Sequence, residues 1–217
     1  MLGLEPHYFP AIACEADAPF PGWRQKPSDN FWQMNQFGQL LRQKGGTIMA
    51  DTKAHVLEGV TALIDIRCKP ESEPRGLGGM QAYEDDTFLG PILQKLRENG
   101  KLAISRFGEL STRFSISRGE WERIVKPAVA EKLGVPVETV RLERAIEANI
   151  IPQLYHELPR HKDGETSTYT LYEEYVDDAQ HCLVGGSSEE GGLGSMHAIH
   201  VNSAGNSFGI RPIIILF

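Results

Sequence analysis

The spacing of apolar residues along the chain predicts several regular elements in its first part. A run of β-branched and apolar residues predicts a strand at Val60–Arg67. Apolar residues at helical spacing predict a helix over Phe88–Glu98, which ends at an Asn-Gly pair. Two further strand-like runs, Lys101–Phe107 and Leu110–Ser117, lie on either side of Gly108-Glu109, and this arrangement predicts a hairpin.

A second helical region follows, and a capping box marks its start. Ser117 and Glu120 have the S-x-x-E spacing in which each side chain binds the main chain of the other residue. Apolar residues then recur on one face as far as Leu133, and Gly134 ends the helix. A further helix is predicted over Val137–Asn149.

The C-terminal part, from residue 160 onward, has no helical period. Short strands are predicted around His181–Val184 and at the terminal Ile213–Phe217, with a long loop, Gly185–Pro212, between them. A loop of this length inside a compact domain is usually functional or disordered. Because the terminal apolar strand must be buried, the loop is held at both ends, and this favours a functional loop. The predicted fold class is α+β, with helices in the first part and an irregular, β-rich C-terminal part.

The N-terminal segment has a different texture from the rest of the chain. Residues 1–30 mix proline, glycine and polar residues without a period and are interpreted as loop or disorder, and Phe31–Lys44 is predicted to be a short helix. The sequence Lys44–Met49 is what a purine-rich ribosome-binding site and an ATG codon would encode if translated. We therefore hypothesise that natural synthesis starts at Met49, the alternative being that residues 1–48 are a genuine N-terminal arm.

Composition limits the class of protein. The chain has 22 Lys and Arg against 29 Asp and Glu, a net charge of −7, and 41% apolar residues, which excludes disordered, collagen-like and coiled-coil chains. Residues 49–217 are expected to form a single domain, with 49–159 as scaffold and 160–217 as the ligand-facing part.

No apolar run approaches the roughly 20 residues that cross a bilayer, so membrane insertion is not expected. No secretory signal is visible. The three cysteines are far apart and are interpreted as reduced thiols; they are Cys14, Cys68 and Cys182.

Residues 126–144 resemble the helix-turn-helix of bacterial DNA-binding proteins. Ala130, Gly134 and Val140 fall at the small, turn and packing positions of that motif. A DNA-binding regulator is therefore the alternative function. The second helix, however, would carry three glutamates against two arginines, a poor surface for DNA phosphates. The C-terminal third is also acidic, so nucleic acid is not expected as a partner, and a pair of core helices joined by a glycine turn is the simpler interpretation.

Between Gly194 and Ser207 the chain is an uncharged mixture of small residues, histidine, asparagine and isolated apolar residues. It has neither a helical nor a strand period. Apolar residues next to histidine and asparagine suit contact with a partner better than simple solvation. The residues predicted to contact a ligand are Ser195, His197, Ile199, His200, Val201, Asn202, Ser203 and Asn206.

Two motifs enclose this stretch: Gly191-Gly192-Leu193-Gly194 precedes it, and Phe208-Gly209-Ile210-Arg211-Pro212 leads from it into the terminal strand. Together they resemble the C-terminus of C-type-lectin-fold proteins. More narrowly, they resemble the variable proteins of diversity-generating retroelements, which occur in phages, archaeal viruses and some microbes. In that family an error-prone reverse transcriptase scrambles adenines and so alters codons such as AAY. From Ser195 to Asn206, only Met196 is a residue that a scrambled AAY codon cannot give.

The resemblance implies a C-type-lectin-like fold and a non-enzymatic function. A constant framework would hold the predicted contact residues in a solvent-facing patch, and this hypervariable patch would bind varied ligands, often proteins of the host-cell surface. The chain would then act in receptor recognition on a virion or a cell surface. The sequence leaves open the identity of the ligand, the oligomeric state and the presence of a structural calcium ion.

Other chemistry has weaker support in the sequence. The pair His181-Cys182 lacks the base or the further ligands that a nucleophile or a metal site requires. His197 and His200 are three residues apart, a spacing that suits a metal only on a helix. The acids Glu173-Glu174 and Asp177-Asp178 lack the spaced pattern of a calcium loop and are interpreted as a solvated acidic edge. No catalytic residue, cofactor or metal is therefore assigned.

Overall fold

The described part of the chain contains both helices and strands, which confirms the predicted α+β class. The computed structural model describes residues 3–13, 56–65, 86–105, 108–144, 147, 169–176, 180–187, 195–206 and 208–217. Its helices are α1 (Leu89–Glu98), α2 (Arg118–Glu120), a π-helical segment (Trp121–Val125), α3 (Lys126–Leu133) and a 3₁₀ turn (Val137–Thr139). Its strands are β1 (Leu4–Phe9), β2 (Ile12–Ala13), β3 (Val56–Leu57), β4 (Val60–Asp65), β5 (Val140–Leu142), β6 (Tyr169–Val176), β7 (His181–Ser187), β8 (Ser195–His200), β9 (Phe208–Ile210) and β10 (Pro212–Leu216). The helix predicted at Phe31–Lys44, the motif Gly191–Gly194, and Cys14, Cys68, Asp177 and Asp178 lie outside the described residues.

The main sheet has the strand order β1-β4-β10-β5, and every neighbouring pair is antiparallel. Strand β10 lies in the interior of this sheet, and its residues Ile213 and Ile214 are buried, whereas Leu216 and Phe217 are exposed. The predicted burial of the terminal strand is therefore confirmed for its first residues only. Strand β1 pairs with β4 along its whole length, up to Phe9 opposite Val60. It does so although it precedes the domain boundary predicted at residue 49.

The second sheet has the strand order β8-β7-β6-β9. Strands β6 and β9 are parallel, and the other two pairs are antiparallel. The two sheets meet at β5 and β6, where the Glu173 N–H donates to the Glu143 carbonyl at 3.1 Å. An isolated β-bridge between Phe114 and Gly209 joins the segment before α2 to β9, which is the edge strand opposite β8 in the second sheet. This arrangement places β8 and the turn that follows it at one edge.

One hydrophobic core joins the helices to both sheets. It includes apolar side chains of α1, of the helical segment from residue 118 to residue 133, and of strands from both sheets. None of the described helices combines the length and the apolar character needed to span a bilayer. Among the fully buried core residues are Leu89, Leu93, Trp121, Val125, Val129, Val140, Leu171, Val184 and Ile210.

The helix predicted after Ser117 is present, and its capping box is confirmed. The Ser117 hydroxyl accepts from the Glu120 N–H at 3.2 Å, and a Glu120 carboxylate oxygen accepts from the Ser117 N–H at 2.8 Å. At the other end, Gly134 adopts the left-handed conformation, with φ of 68°, and closes the last turn. The predicted helix over Phe88–Glu98 is confirmed as well, as α1.

The helix predicted over Val137–Asn149, which both the helix-turn-helix resemblance and the pair of core helices require, is wrong over its described residues 137–144. After Gly134 the chain makes only a 3₁₀ turn and then enters β5, which pairs with β10. Val140 and Leu142 alternate as buried positions, the period of a strand, and β10 supplies the hydrogen-bonding partner that favours this conformation. Arg141 pairs with Glu147 instead of facing outward as on a recognition helix.

The hairpin predicted between Lys101 and Ser117 is also wrong. The described residues of this segment form no strand pair with each other, although a turn is present at Gly108, where φ is +81°. Its carbonyls are satisfied differently: the Arg97 side chain, from α1, donates to carbonyls along the segment. The acceptors are the carbonyl oxygens of Ala103, Leu110, Thr112 and Phe114, at 3.1, 2.6, 2.8 and 3.0 Å.

Candidate ligand-binding surface

The stretch predicted to contact a ligand is half strand and half turn. Residues Ser195–His200 form β8, which lies at the edge of the described sheet beside β7, with His200 opposite His181. Residues 201–206 then form what we call the display turn. The prediction of an unpatterned loop over Gly185–Pro212 is therefore wrong. Strand β8 takes its extended conformation from pairing with β7, because such pairing overrides a weak local pattern.

The predicted contact residues include an exposed group and a half-buried group. His200, Asn202 and Ser203 are exposed, and we call their side chains the display surface. Ile199 and Val201 are half-buried and pack against the core. This division has a consequence for function, because only the exposed group can change without a change in core packing.

Main-chain hydrogen bonds hold both ends of the display turn. The Val201 N–H donates to the Gln180 carbonyl at 3.0 Å, and the Val201 carbonyl accepts from the Gly119 N–H at 3.0 Å. At the other end, the Gly205 carbonyl accepts from the Ser115 N–H at 3.2 Å. None of these three bonds uses a side chain of the display surface, so both ends of the turn are held independently of the residues it presents.

The start of the helix supplies one of these anchors for a physical reason. The first N–H groups of a helix have no acceptor within the helix and must find one elsewhere. In the capping box the Glu120 N–H donates to the Ser117 hydroxyl, whereas the Gly119 N–H donates to the Val201 carbonyl. The helix end and the display turn therefore complete each other's hydrogen bonding.

Side chains contribute within the turn in two places. The Asn202 N–H donates to His200 Nδ1 at 3.2 Å, and the rings of His200 and His181 pack edge to face with centroids 5.7 Å apart. Asn206 is half-buried, and its Oδ1 accepts from the Ser115 hydroxyl at 2.9 Å. Asn206 thus contacts the framework as well as lying in the predicted patch. The side chains of two other predicted contact residues, on β8, lie outside the described part; these are Ser195 and His197.

Gly205 closes the display turn against an aromatic ring. A Cβ atom at this position would lie 2.5 Å from the Phe208 ring, closer than a real contact allows. We expect Gly205→Ala to destabilise the protein by about 2 kcal/mol, because the ring or the turn must move. Thermal unfolding followed by circular dichroism measures this, with Gly59→Ala as the control, since a Cβ there meets its neighbours at an ordinary 3.5 Å. Equal melting temperatures for the two variants would contradict the tight packing of Gly205.

A buried arginine lies next to this anchor. Arg118 is 1% exposed and pairs with Glu122 and Glu173, and its guanidinium carbon lies 4.6 Å from the centroid of the Tyr175 ring. Because Arg118 immediately precedes Gly119, these contacts fix the start of α2 and with it the donor that holds the display turn.

Cys182 lies on β7, opposite Ile199 of β8, and its thiol is not reactive. It is fully buried, and its thiol lies 3.7 Å from the Ile199 carbonyl. Burial raises the pKa of the Cys182 thiol to about 12, so it is protonated at neutral pH. A protonated thiol is neither a nucleophile nor a metal ligand.

The acidic pair Glu173-Glu174 is not the solvated edge that its sequence indicated. Glu174 is 1% exposed and pairs with Arg144 at 3.3 Å. Glu173 is half-buried and accepts from the Leu142 N–H at 2.9 Å, and burial raises the pKa of its carboxyl. These carboxylates are used to join β6 to β5. Within the described ranges, no group of three or more histidine, cysteine or acidic side chains is placed to hold a metal ion.

Sequence reasoning missed the residues that position the display surface. Ser115, Gly119 and Gln180 are distant from the predicted patch in sequence, and they reach it only through the tertiary fold. The capping box at Ser117 and Glu120 is the one sequence feature that could have drawn attention to Gly119 between them. Comparison with protein families, curated proteins and solved structures finds no match to this chain.

Proposed function

We propose that this chain is a non-enzymatic ligand-binding protein, of the kind that diversity-generating retroelements vary, with a C-type-lectin-like scaffold. In this proposal the display surface, together with β8, recognises a protein or another ligand on a cell surface. Substitutions in the patch change the ligand, while the scaffold stays the same.

The observation that carries the proposal is the separation of backbone support from exposed side chains. The display turn is fixed at Val201 and Gly205 through main-chain atoms, while Asn202 and Ser203 between them are exposed. Such a turn accepts many side chains at its exposed positions without loss of the fold. A surface with this property suits a function in which contacts must change and the framework must not.

The burial of the closing motif supports the same conclusion. Gly209 is buried, and a Cβ there would lie 3.1 Å from the Phe114 ring, so a larger residue would need rearrangement. Arg211 is 3% exposed and donates at 2.6 Å to the carbonyl of Asp65, the last residue of β4 in the main sheet. The motif that resembles a constant framework is thus buried, in contrast to the exposed stretch that precedes it.

The display surface can be tested for its independence from folding. We expect His200→Ala/Asn202→Ala/Ser203→Ala to change the free energy of unfolding by less than about 1 kcal/mol, since exposed substitutions have small effects. By contrast, Ile199→Ala removes a side chain packed on the core and should cost roughly 1–3 kcal/mol. Urea unfolding of the two variants measures both values. A large loss in the triple variant would mean that these side chains hold the fold, and the display function would then fail.

The origin of the patch can be tested at the level of DNA. We expect the DNA flanking the gene to contain a near-copy of the segment that encodes Gly192–Pro212, next to a reverse-transcriptase reading frame. The two copies should differ chiefly at adenines of the copy, and the differing codons should include those for the display surface. Sequencing the flanking DNA decides this, and the absence of any such copy would remove the retroelement from the proposal.

A further inference from the structure

A groove with an apolar floor runs between α1 and the helical segment from residue 121 to residue 132. Its volume is about 780 Å³, within the size range of ligand sites. The floor is formed by Ile92 and Leu96 of α1 and by Ile124 and Ala128 opposite them. Its lining residues on this segment run from Arg123 to Lys132, about 15 Å at 1.5 Å per residue, which is close to three turns of a docked helix.

The rim of the groove is strongly basic, although the chain as a whole has a net charge of −7. Four exposed cations surround the floor, and Glu131 is the one acidic residue among the described residues that line the groove. None of these cations forms an ion pair with another residue in the part of the chain that the structure describes. They are Lys95, Lys101, Arg123 and Lys132.

The groove also adjoins the display surface. A Cβ atom placed on Gly119 would lie 3.1 Å from Asn202 Oδ1 and 3.4 Å from an Arg123 guanidinium nitrogen. Arg123 and Asn202 are therefore neighbours across Gly119, and the basic rim begins beside the first residues of the display turn. A partner that extends beyond the groove, past Arg123, would reach the display surface too.

We propose that this groove docks an acidic amphipathic helix of a partner polypeptide. Its apolar residues, at i, i+3 and i+4 spacing, pack on Ile92, Leu96 and Ala128, and its carboxylates face the rim cations. The match rests on charge, because clustered cations that have no carboxylate partner among the described residues favour an acidic occupant. The assignment is independent of whether the display surface is diversified.

The probe is a fluorescein-labelled peptide of about 12 residues, with leucines on one helical face and glutamates on its flanks. We expect saturable binding to the full-length protein by fluorescence anisotropy, weakened by added salt. A peptide of the same composition in shuffled order and a peptide with lysine in place of glutamate should bind at least tenfold more weakly, about 1.4 kcal/mol.

Variants locate the site. Lys95→Gln/Lys101→Gln/Lys132→Gln should weaken binding about tenfold, because each exposed pair contributes modestly. Ala128→Phe should abolish binding by filling the floor. Lys126→Gln is the matched control: it removes a positive charge from the same helix, at a lysine that pairs with Glu122 and does not line the groove, and it should bind normally.

Several results would overturn the proposal. They are the absence of saturable binding, equal binding of the shuffled peptide, and equal binding by the Ala128→Phe variant when circular dichroism shows it to be folded. A protein that sediments as a dimer, and as a monomer only with Ala128→Phe, would show that a second copy occupies the groove instead. The His200→Ala/Asn202→Ala/Ser203→Ala variant should bind the peptide normally, so a failure of the groove is distinguishable from a failure of the display surface.

Discussion

Replacing Arg97 by methionine is expected to lower the free energy of unfolding by about 4 kcal/mol or more, the largest effect of any single substitution considered. The Arg97 side chain is 3% exposed and makes four hydrogen bonds to main-chain carbonyls of a segment whose described residues form no strand pair with each other. Methionine fills the space but leaves the carbonyls of Thr112 and Phe114, whose bonds to Arg97 are buried, without these donors, and each unsatisfied buried group costs about 1–3 kcal/mol. Thermal unfolding should show a fall in melting temperature of roughly 10 °C or more.

The effect should extend to the display turn. One of the carbonyls that Arg97 binds belongs to Phe114, and the next residue, Ser115, donates to Gly205 in the display turn. Loss of Arg97 should therefore loosen that end of the turn, as measured by faster amide hydrogen exchange at Ser115.

Two further variants separate geometry from charge. Arg97→Lys keeps the positive charge but lacks the planar arrangement of five donors, so it should recover only part of the lost stability. Burial lowers the pKa of the Arg97 guanidinium, yet an arginine remains charged at neutral pH, and its role here is to donate hydrogen bonds. Arg123→Met is the matched control at an exposed arginine and should change stability by less than about 0.5 kcal/mol. If Arg97→Met is as stable as Arg123→Met, the carbonyls must have other donors.

The elements that the sequence predicts correctly are those with a strong local signal. Helix α1 has apolar residues at helical spacing, the next helix has a capping box at Ser117 and a closing Gly134, and the terminal strand is a continuous apolar run. In each case residues close in sequence determine the conformation. The structure confirms all three.

The elements that the sequence misassigns depend on partners far away in the chain. The segment Val140–Leu142 becomes a strand because β10, about 70 residues later, pairs with it. The expected hairpin is replaced by carbonyl contacts to Arg97, which no local pattern within the hairpin segment could indicate. The same holds for β8, which is extended because β7 lies beside it. Tertiary pairing decides such segments, and a single sequence carries little information about it.

Composition indicated the candidate site, and the fold shows which of its described residues are exposed. An uncharged stretch with histidine and asparagine indicated a region that the structure places partly at the surface, but it could not distinguish the exposed His200 from the half-buried Ile199. That distinction comes from the pairing of β8 with β7, since alternate side chains of a strand point to opposite faces. The anchors at Ser115 and Gly119 could not be predicted, because they approach the turn only in three dimensions.

Removal of the N-terminal strand is the second change with a large expected effect. A chain that starts at Met49 lacks β1, which pairs with β4 over six residues and buries Phe9 completely. Such a truncation exposes the whole edge of β4 and leaves the space of Phe9 empty. We expect a loss of at least 3–5 kcal/mol, the usual cost of removing one buried phenylalanine. Purified proteins beginning at Met1 and at Met49 can be compared by urea unfolding.

Point variants distinguish a specific role of β1 from a general effect of shortening the chain. Phe9→Ala in the full-length protein should cost about 3–5 kcal/mol, whereas Tyr8→Ala, at a side chain that is 57% exposed, should cost much less. If the truncated chain is as stable as the full one, β1 is dispensable and synthesis from Met49 is compatible with the fold. If it is not, the strand belongs to the scaffold that holds the display surface, because β10, which follows directly from the closing motif, pairs with the same β4.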